Sequence, residues 1–172
     1  MYNFDGKVAV VTGGAQGIGR CIADEFRRSG ASVCIIDCQK GDHFVGDLSD
    51  KPTLERFAQS VVGQYGRVDF LINNAAPLMK GIGECTFEEF QYALNVGVTA
   101  PFYLTKLFAP HFAEGAAVVN ISSSRDRIAS RRPRVTRRPK AALPLLRTLS
   151  PSALPVECES IPFRPAGLTQ KQ

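Results

Sequence analysis

The segment Thr12-Gly13-Gly14-Ala15-Gln16-Gly17-Ile18-Gly19 constrains this chain more than any other, because of what flanks it. Before it stands Lys7-Val8-Ala9-Val10-Val11, a short apolar, β-branched run that predicts a buried strand. After it, residues Ile18 to Ser29 predict a helix, which Gly30 stops as a C-terminal glycine does. Glycines in a strand-to-helix turn let the backbone approach a ligand that side chains would keep away. The helix start adds unpaired N–H groups and the positive end of its dipole. A diphosphate suits such a turn.

The alternation continues. Val33-Cys34-Ile35-Ile36 predicts a second buried strand, and His43-Phe44-Val45 a short third. Ser49 or Asp50 caps the next helix, with Pro52 in its first turn. Its stripe is Leu54, Phe57, Ala58, Val61 and Val62. Val68 to Ile72 is the next strand. Thr86 with Glu89 forms a capping box opening a long helix, with Phe90, Leu94, Val98 and Phe102 along one side and a kink at Pro101. Ala116 to Ile121 is the last strand. Strands alternating with helices imply parallel pairing and right-handed crossovers. Strands that are apolar throughout imply helices on both faces. The expected architecture is α/β: a doubly wound parallel sheet in three αβα layers, binding ligands at the carboxyl ends of its strands.

Asp37 stands at the end of the second strand, eighteen residues past Gly19. A carboxylate there accepts hydrogen bonds from both ribose hydroxyls and repels a 2′-phosphate. Neither Cys38 nor Gln39 brings a positive charge to offset it. NAD is therefore the expected cofactor, in preference to NADP.

These features resemble the short-chain dehydrogenase/reductase family, whose loop is Thr-Gly-x-x-x-Gly-x-Gly. Further matches follow in order along residues 5 to 124. Gly46-Asp47-Leu48 resembles the segment at which an aspartate meets the adenine. Asn73-Asn74-Ala75-Ala76 resembles Asn-Asn-Ala-Gly, with Ala76 in place of the glycine. Asn95, in Leu94-Asn95-Val96, matches the active-site asparagine. Asn120-Ile121-Ser122-Ser123 resembles the strand that ends in the catalytic serine, and Ser123 fits that spacing better than Ser122 or Ser124. The resemblance implies a Rossmann-like fold, with Gly13, Gln16, Gly17, Ile18, Gly19, Asp37, Asp47, Leu48, Asn74 and Ala75 as cofactor residues and Asn95 and Ser123 as catalytic ones. It implies hydride transfer between NAD(H) and a carbonyl or alcohol substrate. In the family a tyrosine is the general acid/base. A lysine in Tyr-x-x-x-Lys lowers the tyrosine's pKa.

Beyond Ser124 the pattern fails. The four tyrosines, Tyr2, Tyr65, Tyr92 and Tyr103, all precede Ser123. Where the family tyrosine belongs the chain has Val135-Thr136-Arg137, with Lys140 four residues past Thr136. Residues 1–124 carry 10 Lys/Arg and 13 Asp/Glu, whereas residues 125–172 carry 11 and 3, and seven of the eleven prolines. Val135 to Ala142 can be encoded so that a one-base shift spells Tyr-Thr-Ala-Ala-Lys-Gly-Gly. The same frame lets Val156 to Gly167 conceal Arg-Val-Arg-Val-Asn-Ser-Ile-Ser-Pro-Gly-Trp, similar to the family's next strand and Pro-Gly turn. The expectation is a Rossmann-like domain over 1–124, C-terminally incomplete, and an out-of-frame or disordered basic tail over 125–172. A truncation of another kind is the alternative, and the gene sequence tests both. The chain is then an oxidoreductase by descent with impaired activity, or a catalytically silent dinucleotide-binding module.

Seven arginines between Arg125 and Arg138 invite a nucleic-acid reading. No aromatic residues are interleaved for base stacking, so specific binding is not expected. The five cysteines show no metal-ligand pairing and are expected as reduced thiols of a cytoplasmic protein. No run of about 18 apolar residues predicts a membrane span. The expected partner is a small alcohol or ketone. The resemblance implies a homo-oligomer, although its interface helix is not encoded here.

Overall fold

The computed structural model describes residues 2–77, 80, 81 and 83–122. Ser123, Ser124 and everything expected of 125–172 lie outside the described residues. The elements are β1 (Val8–Thr12), α1 (Gly17–Arg28), β2 (Ser32–Asp37), β3 (Phe44–Val45), α2 (Lys51–Tyr65), β4 (Val68–Asn73), α3 (Phe87–Leu94), α4 (Ala100–Phe108) and β5 (Phe112–Asn120). All neighbouring strands pair in parallel, in the order β3-β2-β1-β4-β5. The chain winds outward from β1 through β2 to β3, then crosses back to β4 and β5. The reversal places a crevice above the carboxyl ends of β1 and β4.

Alternating side chains send β1 into two cores. Val8 and Val10 join Ile36, Leu54, Phe57, Val61, Leu71, Leu104 and Phe108 on the face covered by α2 and α4. Val11 joins Ile35, Ile72 and Ala23 on the face covered by α1. The three expected layers are present. Asp50 is the cap of α2, accepting from the Thr53 N–H at 3.0 Å. Gly66 ends α2 at φ 69°, in the left-handed region glycine adopts without a Cβ penalty. At the amino ends of the strands, buried Asp69 accepts hydrogen bonds from the Val8 amide and from Arg67, and an ion pair from Lys7 at 3.2 Å. Burial pushes the Asp69 carboxyl up, but the Arg67 hydrogen bonds, the Val8 amide and Lys7 outweigh it and leave the pKa lowered.

Three expectations are corrected. The long helix after Thr86 is divided by a π-helical turn, Asn95–Thr99, in which the Ala100 N–H reaches the Asn95 carbonyl. The irregularity lies just before Pro101, which occupies the first turn of α4. The buried side of this segment is also not the expected one. Ala93, Val96, Gly97, Ala100, Leu104 and Phe108 are buried, whereas Phe102 is 49% exposed. The wider turn advances the phase of the stripe, so a uniform period carried across residue 95 selects the wrong side. β5 also begins earlier than Ala116. Phe112 pairs with Val68 and Ala117 with Phe70, and Gly115 at φ 74° absorbs the extra residues.

Candidate functional site

The glycine turn is strapped to the end of β4. Thr12 Oγ1 accepts from the Asn74 and Ala75 N–H groups at 3.0 and 3.1 Å. The Asn74 side-chain amide donates to the carbonyls of Thr12 and Gly13 at 3.1 and 3.0 Å. Gly13 has φ 67°, and a Cβ there would stand 2.9 Å from Ala75 Cα. A Cβ at Gly19 would collide with the Gly13 carbonyl and the Asn74 amide. Both positions therefore demand glycine on packing grounds, before any ligand is considered.

Asp37 closes the other side. It is 6% exposed; Oδ2 accepts from the Ala15 N–H and Oδ1 from the Gln39 N–H, each at 3.0 Å. One residue thus ties the glycine turn to the end of β2 while keeping a carboxylate at the crevice. Beside it the Cys38 thiol is pushed up by burial and by the charge of Asp37. Within β2, burial raises the Cys34 thiol to about 11 against a hydrogen bond from Tyr65. Neither thiol is primed as a nucleophile. After β3, Asp47 Oδ1 accepts from the Ser49 N–H at 2.8 Å and from the Tyr92 hydroxyl at 3.3 Å. Burial first, then the charges of Asp47 and Cys38, hold the Tyr92 pKa above its usual value.

A cavity of about 550 Å³ opens between these segments. Gly13, Gln16, Gly17, Ile18, Asp37, Asp47, Leu48, Asn74 and Ala75 all line it. Its size falls within the range of small-molecule and cofactor sites. Ile18 is 65% exposed on its rim, a large apolar side chain left in solvent. Gly19 is not among the lining residues; it is buried behind the turn and lets α1 approach β4. Asn95 is not a lining residue either, since it opens the π turn deeper in the helix. Ser123 lies outside the described residues, whereas its neighbours Ile121 and Ser122 do line the cavity.

Sequence reasoning missed Cys38, Gln39, Gly46, Tyr92 and Val96 as lining residues. The first three are chain neighbours of residues it selected. Tyr92 and Val96 stand one helical turn apart and reach the cavity only because α3 packs beside the β3–α2 turn. Across the crevice, the Asn73 side-chain amide donates to Asn120 Oδ1 at 2.9 Å, joining the ends of β4 and β5. Asn73 Oδ1 is buried with no hydrogen-bond partner among the described residues.

The sequence profile of the short chain dehydrogenases matches residues 7–132. The chain belongs to the short-chain dehydrogenase/reductase family. Its relatives agree. An uncharacterized oxidoreductase of Thermotoga maritima is 36% identical over 140 residues, covering 70% of this chain and 55% of its own. The D-threitol dehydrogenase of Mycolicibacterium smegmatis is 28% identical over 141 residues, covering 71% and 54%. The crystal structure of a short chain dehydrogenase from Burkholderia cenocepacia in complex with NADP superposes with a TM-score of 0.75 at 26% identity, covering 82% of this chain and 65% of that one. The chain spans about half the length of the curated relatives it matches. As a member of this family it is related to oxidoreductases, and no helix among the described residues is long and apolar enough to cross a membrane.

Proposed function

We propose that this chain binds a nicotinamide dinucleotide above the carboxyl ends of β1, β2 and β4, and that the binding site is the NAD site of an oxidoreductase acting on a carbonyl or alcohol. One observation carries the reading: the glycine turn, Asp37, Asp47-Leu48 and Asn74-Ala75, all expected from the sequence, line a single cavity at the point where the strand order reverses. The free N–H groups at the start of α1 are suited to a diphosphate. When bound, the dinucleotide supplies a hydride donor or acceptor, and the chain's own residues bind and orient it.

Asp37 favours NAD. Each of its carboxylate oxygens retains a lone pair beyond its one backbone hydrogen bond, free to accept from an adenosine ribose. A 2′-phosphate there would meet that charge, and the adjoining Cys38 and Gln39 bring no cation. The NADP held by the Burkholderia relative supports the opposite preference for the family member that carries it. Competition calorimetry decides between them: NAD should bind at least about tenfold tighter, as expected for one unpaired charge repulsion. Tighter binding of NADP overturns the assignment.

Thr136 stands where the resemblance places the tyrosine, so turnover is expected to be low. Loss of a general acid/base removes a factor of about 10² to 10⁴. NADH formation from a panel of secondary alcohols, followed by absorbance, measures it. The absence of any tyrosine after Tyr103 favours a second reading, a silent dinucleotide-binding module. That reading predicts the same binding heat with no NADH.

A further inference from the structure

The strand order arranges the cavity in sequence. The glycine turn follows β1, Asp37 ends β2, and Asp47 follows β3, so the three lie progressively farther from the crevice between β1 and β4. On the dinucleotide reading above, on which this inference rests, a diphosphate at the first and a ribose at the second leave the base at the third. Leu48, Val96 and Ala75 line the cavity and offer apolar surfaces to a flat ring. Asp47 offers it a carboxylate.

That carboxylate is held from one side. Oδ1 accepts from the Ser49 N–H at 2.8 Å and from the Tyr92 hydroxyl at 3.3 Å, while no hydrogen bond among the described residues engages Oδ2. Tyr92 comes from α3, far from Asp47 in sequence, and lines the cavity itself. The Ser49 contact alone is a local turn that leaves the carboxylate free to rotate about its final bond. A second donor on the same oxygen removes that freedom.

We propose that Tyr92 is a positioning residue for base recognition: by holding Oδ1 of Asp47 it fixes Oδ2 as the acceptor for the exocyclic amino group of adenine. A base with a carbonyl at that position presents an oxygen to a carboxylate and is rejected, because neither group carries a proton for the other. Tyr92 thereby sets selectivity for adenine over hypoxanthine without touching the base's amino group.

Calorimetry on the full chain with NAD and with nicotinamide hypoxanthine dinucleotide tests this. The parent chain is expected to favour NAD by about tenfold, the effect of one charge-assisted hydrogen bond. Tyr92→Phe should reduce the ratio to about threefold or less, with affinity for the hypoxanthine compound unchanged within about twofold. Asp47→Ala should abolish the ratio, and adding Tyr92→Phe to it should change nothing further. An unchanged ratio in Tyr92→Phe overturns the assignment, as does a parallel loss of affinity for both dinucleotides, which marks a merely structural residue. If the folded parent chain binds neither dinucleotide, the dinucleotide reading itself fails, and this one with it.

Discussion

The half of the sheet built from β1, β2 and β3 differs in kind from the half built from β4 and β5. On the first, two carboxylates beside the cavity have partners around it: Asp37 accepts from the Ala15 and Gln39 N–H groups, and Asp47 from the Ser49 N–H and the Tyr92 hydroxyl. On the second, Asn73 and Asn120 hold each other, Asn73 Oδ1 is left buried and unpartnered among the described residues, and Val119 is 39% exposed. The first half is joined by the short Asp37–Gln39 and Asp47–Ser49 turns, the Asp37–Ala15 strap and the Tyr92–Asp47 contact from α3. The other half carries Asn95, which is not a cavity-lining residue, and leads toward Ser123, which lies outside the described residues.

The largest expected effect breaks the joint between the halves. Phe108 of α4 meets Phe57 of α2 edge-on, with ring centroids 6.4 Å apart, and both are essentially fully buried. Phe108→Ala should cost about 3–5 kcal/mol of stability, read from denaturant unfolding. A loss below about 1 kcal/mol would show that the halves do not share one core.

Next, Asp37→Ala and Asn95→Ala should separate binding from chemistry. Asp37→Ala removes the acceptor of two backbone N–H groups and should weaken NAD about 10- to 100-fold by calorimetry. Asn95→Ala should shift the same affinity by less than about twofold. Equal losses in both variants would erase the distinction.

Asp69 tests the end of the sheet away from the site. Its folded pKa is lowered, so its contribution is fully present above the unfolded carboxyl value and is lost as pH falls through the folded one. Asp69→Asn should cost about 1–3 kcal/mol at neutral pH and flatten the acid limb of stability below about pH 4, leaving dinucleotide affinity at neutral pH unchanged. A variant with the parent's acid profile would contradict this.

The smallest effect is at a helix start. Thr86 accepts from the Glu89 N–H at 3.2 Å, and Glu89 returns the bond to the Thr86 N–H at 3.1 Å. Thr86→Ala should cost about 1 kcal/mol in thermal melts, with binding altered only as far as Tyr92 shifts with α3.

Much of the architecture was legible because it is written in local signals. The β-branched runs, the Asp50 and Thr86 caps, the glycine stops and the three-to-four-residue spacing of helical stripes each depend on neighbours in sequence. The stripe of α2 was read with its burial correct at Leu54, Phe57, Ala58 and Val61. The same reasoning failed at Phe102, which is exposed, because the π turn at Asn95–Thr99 changes the period and nothing local announces it, while Phe90, Leu94 and Val98 are half-buried. Gly19, expected as a cofactor residue, packs against the Gly13 carbonyl and the Asn74 amide.

The amino-acid sequence alone determined the strand–glycine turn–helix unit, the parallel alternation and the acidic residue ending β2, since each follows from propensities within a few residues. Only the tertiary structure decided that Asp37 grips Ala15, that Asn74 straps the glycine turn, and that Tyr92 meets Asp47. Those contacts join residues 22, 61 and 45 positions apart. They exist because sheet order and helix packing bring the segments together, and pairwise contacts at that separation leave no periodic trace in a single sequence.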